Sequence, residues 1–204
     1  MSAGAPEEIA ALPIEFADEE QSVHITGFWL FLVTDVLIFG SLFASFAVFR
    51  PMVGTGPSLA SLVHLGPAAL ETFLLLTSSF TVGLAVFAMR HRSLRLATVL
   101  IVITLLLGLG FLGLEIHEFA ADVALGASWR ASASLSAFFL LVSTHGAHVT
   151  FGILWALGLL AQLKRRGLTA VTARKIFTFS LYWHFLDIVW VFIFTFVYLN
   201  GRML

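Results

Sequence analysis

Five long apolar segments constrain this chain more than any other feature. They cover approximately residues 27–49, 68–89, 94–117, 135–163 and 176–199. A helix needs about 20 mainly apolar residues to cross the hydrocarbon core of a bilayer, where its backbone groups must bond to one another. No stretch alternates apolar and polar residues in units of about ten, as the strands of a membrane barrel do. The sequence therefore predicts an all-α fold, an integral membrane bundle of five transmembrane helices.

The composition also indicates a membrane protein. Of the 204 residues, 59% are hydrophobic and 11% are charged, whereas about a quarter of a soluble domain is charged. The formal net charge of −1 argues against a basic surface for nucleic acid. Because the chain contains no cysteine, disulfides and thiolate metal sites are excluded.

The chain divides into a short tail and one membrane domain. Residues 1–26 are acidic and contain no Lys or Arg, so they lack the basic start of a secretory signal. We expect an acidic, solvated, cytoplasmic N-terminal tail there. The later connections are short and no internal repeat is present, which predicts a single five-helix transmembrane domain over residues 27–204.

Basic residues in the connections predict the orientation, since cytoplasmic loops are enriched in Lys and Arg. With the N-terminus inside, the inner loops hold eight basic residues: Arg90, Arg92, Arg95, Lys164, Arg165, Arg166, Arg174 and Lys175. The outer side holds three: Arg50, Arg130 and Arg202. We therefore expect a cytoplasmic N-terminus and an external C-terminus.

Several ionisable side chains fall in the apolar segments or at their ends, where charge is costly and usually faces the bundle interior, a cavity or a partner. They are Asp35, Glu71, Glu115, His117, His145, His148, His184 and Asp187. Each is a candidate for either a structural or a functional role.

The histidines of "STHGAHVTFG" (143–152) lie on one helix face, because His145 and His148 are three residues apart. They could ligate a haem or a metal, but this needs a ligand from a facing helix. His184 is the deepest other candidate, and the predicted orientation places it nearer the opposite membrane face. We favour neutral histidines hydrogen-bonded to Glu71, to the backbone or to a lipid headgroup. Glu71 is predicted at about the depth of His145.

Two further clusters have structural interpretations. His184 and Asp187 in "YWHFLDIVW" are three apart and can pair, as a proton relay or, as we favour, as a structural lock. "EIHEF" (115–119) has two carboxylates and a histidine, but a di-iron site needs such groups on several helices. We interpret it as a polar helix end. The motifs GxSxG, HExxH, the P-loop and GxGxxG are missing, so we assign no catalytic, cofactor-binding or metal-binding residue.

Four strings give a family resemblance: "GFWLFLVTDVLIFGSLFASF", "ETFLLLTSSFT", "THGAHVTFG" and "YWHFLDIVWVFIFTFVYL". They resemble subunit III of haem-copper terminal oxidases, the cytochrome c oxidase subunit 3 family. The likeness extends over nearly the whole folded chain. Five spans, rather than the seven of typical cytochrome c oxidase members, point to the bo3-type ubiquinol oxidase branch.

The resemblance implies a non-catalytic subunit of a proton-pumping respiratory complex in the bacterial plasma membrane, which oxidises quinol and reduces O2 to water. It implies no cofactor in this chain and haems and copper in the main partner, subunit I, with subunits II and IV alongside. It also implies bound phospholipid and a role in assembly and sustained proton uptake. By motif, His145 and His148 match a histidine pair in the lipid-lined region, with Glu71 beside it. His184 and Asp187 match a last-helix motif that we interpret as structural.

Three alternatives remain open. Two are within the family: subunit III of a cytochrome c oxidase, and the subunit-III-like accessory protein of nitric oxide reductase. The third belongs to another class, a membrane anchor that carries a bis-histidine haem and passes electrons itself. This last alternative requires His145, His148 or His184 to be available as axial ligands.

Overall fold

Five long helices make up the protein in the computed structural model, which describes residues 19–52, 64–127 and 129–200, with side chains from residue 25 onward. The helices are α1 Glu19–Phe49, α2 Leu65–Arg90, α3 Leu94–Ala124, α4 Ala133–Arg166 and α5 Ala170–Ile193, which continues as a π-helical segment Phe194–Leu199. All five are long and apolar enough to cross a membrane, and the described ranges contain no strand. The predicted all-α membrane bundle is confirmed.

The helices are longer than the predicted segments at several ends. Helix α1 begins at Glu19, so residues 19–26 of the predicted tail are helical; residues 1–18 lie outside the described part of the chain. Helix α3 continues past His117 to Ala124 and stops before Gly126, which has a φ of +83°. Neither glycine nor proline lies between His117 and Gly126, so the polar residues after His117 stay helical.

Polar caps fix the starts of the last two helices. The Ser132 hydroxyl accepts a hydrogen bond of 3.1 Å from the Leu135 N–H at the start of α4. At the start of α5, Thr169 and Thr172 form a capping box in which each side chain accepts from the other residue's backbone N–H. These bonds satisfy amide groups that have no partner inside the helix.

Helices α2, α3, α4 and α5 form a ring, and α1 lies outside it. The closest packing joins α2 to α3, α3 to α4, α4 to α5, and α5 back to α2. Helix α1 packs on α4 and α5. Its buried apolar residues recur every seven positions, at Ile25, Leu32, Phe39 and Phe46, which is the spacing of a helix that meets its neighbour along one seam.

Aromatic side chains fill the centre of the ring. Trp183, Trp190 and Tyr182 of α5 are among the largest fully buried side chains. The Trp183 indole lies against Gly108 and Gly152, where an added Cβ would come within 2.8 and 2.9 Å of the ring. Small residues on α3 and α4 therefore make the space that a large residue of α5 occupies.

Candidate functional site

His145 is enclosed by aromatic rings. It is 0% exposed, and its ring centroid lies 5.3 Å from that of Trp190, 5.7 Å from Phe111 and 6.4 Å from Phe39. Neither ring nitrogen has a hydrogen-bond partner among the described residues. The packed rings leave no space for a porphyrin beside this histidine.

His148 is on the same helix face but reaches towards α1. Its Nδ1 donates to the Thr144 carbonyl oxygen at 2.7 Å, and its Nε2 lies 3.9 Å from Asp35 Oδ1. A neutral imidazole with its proton on Nδ1 has none on Nε2. An attractive contact with Asp35 therefore needs one further proton, either on the imidazole or on the carboxyl group.

Asp35 and His148 also line an open cavity. Its volume is about 320 Å³, and Phe31, Phe151 and Tyr182 complete most of its wall. Asp35 is buried and its Oδ2 has no hydrogen-bond partner in the described chain. Reasoning from the sequence assigned no role to Asp35, because no signal there indicated that α1 and α4 are neighbours.

Glu71 is a buried residue of α2. It is 0% exposed, and both of its carboxyl oxygens lack a hydrogen-bond partner within the described residues. The expected hydrogen bond between Glu71 and a histidine is therefore not formed. Its electrostatic neighbours are Glu115 and Glu118, so Glu71 belongs to an acidic group.

We call Glu71, Glu115, Glu118 and Asp122 the carboxylate cluster. The Glu115 oxygens would lie 2.6 and 2.9 Å from a Cβ added at Gly146. The carboxyl group therefore occupies space that is available only because Gly146, the residue after His145, has no side chain. Glu118 interacts in turn with Asp122. The sequence singled out Glu71 and the two carboxylates of "EIHEF" but did not predict that they converge, and Asp122 lay beyond the expected end of α3 at residue 117. In the described ranges no three His, Asp or Glu side chains are arranged to hold a metal ion.

His184 and Asp187 are joined through a residue of another helix. His184 Nδ1 and the Ser79 hydroxyl share a hydrogen bond of 2.6 Å, and Asp187 interacts with both Ser79 and His184. The three residues open on a cavity of about 440 Å³ between α2 and α5. The pair predicted within α5 thus includes Ser79 of α2, which the sequence did not single out.

The three histidines therefore occupy separate surroundings. His145 is within the aromatic core, His148 contacts α1, and His184 contacts α2. A bis-histidine haem needs two imidazoles facing each other across the iron. This arrangement does not supply such a pair, and it suits polar contacts between helices.

An apolar groove runs between the ends of α1 and α5. Its volume is about 490 Å³, and Phe43, Phe192 and Phe196 line it. Arg50 lies at its end and donates a hydrogen bond to the Asn200 carbonyl oxygen. Aromatic walls that end at a cationic side chain suit an acyl chain with an anionic headgroup.

Comparisons with known proteins agree with this architecture. The family profile described as Cytochrome c oxidase subunit III matches residues 19–202. The Quinol oxidase subunit 3 of Bacillus subtilis (strain 168) is 50% identical over 93% of this chain and 93% of that protein. The Cytochrome c oxidase subunit 3 of Bacillus sp. (strain PS3) is 45% identical over 97% and 95%. The Probable quinol oxidase subunit 3 of Staphylococcus aureus (strain COL) is 43% identical over 93% and 95%.

Proposed function

Because this chain belongs to the cytochrome c oxidase subunit III family, we propose that it is the non-catalytic subunit III of a haem-copper quinol oxidase. The observation that carries this function is the 50% identity, over 93% of both chains, to a protein named quinol oxidase subunit 3. Five helices long enough to span a membrane, together with bacterial relatives of the same family, make it a multi-pass protein of the bacterial membrane. Its partners are the other subunits of the oxidase.

Quinol is the electron donor that we propose for the complex. The Bacillus subtilis relative named for quinol is 50% identical, and the relative named for cytochrome c is 45% identical. This small difference keeps subunit III of a cytochrome c oxidase as the second candidate. The donor binds to other subunits, so an activity assay of the whole complex is the direct test.

The redox chemistry belongs to a partner in this proposal. We place the haems and copper in subunit I, with subunits II and IV completing the complex. The separate surroundings of His145, His148 and His184 support this, because no two of them are arranged as a pair of axial ligands. This chain then contributes assembly and sustained proton uptake and transfers no electrons.

Phospholipid is the ligand that we propose for this chain. His148 is partly exposed beside the Asp35 cavity, which is consistent with a lipid-contact role, whereas Glu71 and His145 are enclosed and act as structural polar residues. The groove that ends at Arg50 offers a second contact for an anionic lipid. Loss of bound lipid from an Arg50→Leu variant, measured by native mass spectrometry, would support the groove, whereas full retention would contradict it.

We also propose a cytoplasmic N-terminus and an external C-terminus. The predicted inner connections hold eight Lys and Arg residues, against three outside. Because the chain has no native cysteine, single cysteines placed at Ser93 and at Ala131 can be labelled in intact cells with an impermeant maleimide. Labelling at Ala131 but not at Ser93 is expected, and the reverse pattern would overturn this orientation.

The decisive experiment is purification of the tagged chain from its native membrane in mild detergent. We expect haem in the reduced-minus-oxidised spectrum together with a large second polypeptide, and no haem once that partner is removed. The complex should oxidise quinol faster than reduced cytochrome c. Haem retained by the lone chain would contradict the proposal, and faster oxidation of cytochrome c would select the second candidate.

A further inference from the structure

We propose that the α2–α5 face around Ser79, Gly83, His184 and Asp187, here called the polar notch, docks a transmembrane helix of another subunit that presents a hydrogen-bond-donating side chain. This rests on the proposed function, because it requires a membrane complex around the chain. The notch is the cavity of about 440 Å³ between the two helices. The family assignment alone does not locate this contact.

One acceptor in the polar notch has no donor. The Ser79 hydroxyl bonds to His184 and also interacts with the Asp187 carboxyl group, but Asp187 Oδ1 is buried and accepts no hydrogen bond from the described residues. A buried acceptor without a partner costs free energy, and more so in hydrocarbon, where water is scarce. Polar groups inside a membrane usually face a cavity or a partner, and here they border an open cavity.

The depth of the notch identifies the source of the donor. Asp187 is seventeen residues after Ala170 and twelve before Leu199 along α5. At 1.5 Å per residue, this places it roughly 25 and 18 Å from the two helix ends. Lipid headgroups lie at the membrane surfaces, and acyl chains carry no hydrogen-bond donor. A side chain on a second membrane-spanning helix can both reach this depth and donate a hydrogen bond.

Two large apolar side chains border the polar centre of the notch. Phe80 is 67% exposed and Leu76 is 48% exposed, so both can make the van der Waals contacts by which membrane helices pack. The space beside Gly83 is open, since a Cβ added there would meet nothing nearer than the His184 ring at 3.9 Å. Glycine on a membrane helix allows a neighbouring helix to approach closely.

The first test fills the notch. Gly83→Trp places an indole where the partner helix would lie. Gly113→Trp is the matched control, because Gly113 lies on α3, away from the notch, and a Cβ added there meets nothing within 4 Å. The measurement is the amount of this chain that co-purifies with the tagged haem-containing subunit. We expect Gly83→Trp to lower it at least about tenfold, the effect of losing a buried charged contact. We expect Gly113→Trp to leave it at the wild-type level.

A second measurement does not depend on the folding of a tryptophan variant. A benzophenone amino acid in place of Phe80 probes the rim, and the same group in place of Leu106, which is 60% exposed on α3, probes another face. We expect strong cross-linking from position 80 to a protein subunit of the complex. Lipid adducts alone, or equal protein cross-linking from both positions, would overturn the proposal.

The two proposals fail in different ways. If the wild-type chain does not co-purify with a haem-containing subunit, the proposed function is wrong. If the wild-type chain co-purifies and Gly83→Trp does so equally well, or if both tryptophan variants are lost alike, the docking surface alone is wrong.

Discussion

The Trp183 indole N–H donates a hydrogen bond of 2.8 Å to the Ser78 hydroxyl, and both side chains are buried. The bond joins α5 to α2, the pair that closes the helix ring. A second bond of the same kind lies nearer the other end of α5, where Trp190 Nε1 donates to Thr72 Oγ1 at 3.0 Å. Two indoles thus fix the position of α5 against α2.

Replacing Ser78 by Ala should destabilise the protein, because the Trp183 N–H then has no partner in a buried site. We expect a loss of about 1–2 kcal/mol in the free energy of unfolding. Ser41→Ala is the matched control, since the exposed Ser41 hydroxyl bonds to a carbonyl of its own helix. Unfolding of the purified protein in detergent would measure both; equal stability of the two variants would show that the interhelical bond contributes nothing.

Replacing each of two glycines of α4 by alanine should change the stability of the protein differently. A Cβ at Gly152 would come within 2.9 Å of Trp183, whereas a Cβ at Gly158 meets nothing within 4 Å. We expect Gly152→Ala to lower the free energy of unfolding by about 1–3 kcal/mol through overpacking. Gly158→Ala should leave it unchanged or raise it slightly, because alanine favours the helix. A lower thermal unfolding midpoint for Gly158→Ala alone would contradict the packing argument.

Replacing Asp35 by asparagine should destabilise the protein less than replacing it by leucine, because the amide can still bond to His148. His148 uses its Nδ1 proton on the Thr144 carbonyl, so the side-chain amide of an Asp35→Asn variant could donate to Nε2 without any additional proton. Asp35→Leu removes the partner. We expect Asp35→Leu to be about 1–2 kcal/mol less stable than Asp35→Asn. Chemical unfolding of both variants tests this, and a leucine variant as stable as the asparagine variant would refute the role of the contact.

The capping box at the start of α5 should stabilise the protein more than a serine that makes no cap bond. Thr169 accepts from the Thr172 N–H at 3.3 Å, while Ser93, the residue before α3, makes no side-chain cap bond. We therefore expect Thr169→Ala to cost about 1 kcal/mol, and Ser93→Ala to have little effect. Thermal unfolding of the two variants is the measurement; a larger loss for Ser93→Ala would show that the box is not stabilising.

The sequence predicted the five helices because crossing a bilayer is a local requirement of length and apolarity. It did not predict which helices meet, since that depends on side chains far apart in the chain. Asp35 had no assigned role until α1 was placed against α4, and Ser79 had none until α2 was placed against α5. A hydrogen bond from Glu71 to a histidine was expected from their similar depth, whereas no described residue bonds to its carboxyl oxygens.

The carboxylate cluster was only partly predicted, for a different reason. The α3 segment was expected to end at residue 117, which put Glu118 at the polar helix end and Asp122 in the connection, whereas the helix continues to Ala124. Helix ends depend on where the next strong breaker falls, here Gly126 with its positive φ. The roles of His145, His148, His184 and Asp187 remain predictions.

The position of α1 outside the helix ring has a consequence for biosynthesis. Among the five helices, α1 is translated before α2 and α3, whereas its packing partners, α4 and α5, are translated after them. The contact between Asp35 and His148 can therefore form only after α4 has been made. At this seam, a polar side chain of an early helix depends on a partner that is translated more than one hundred residues later.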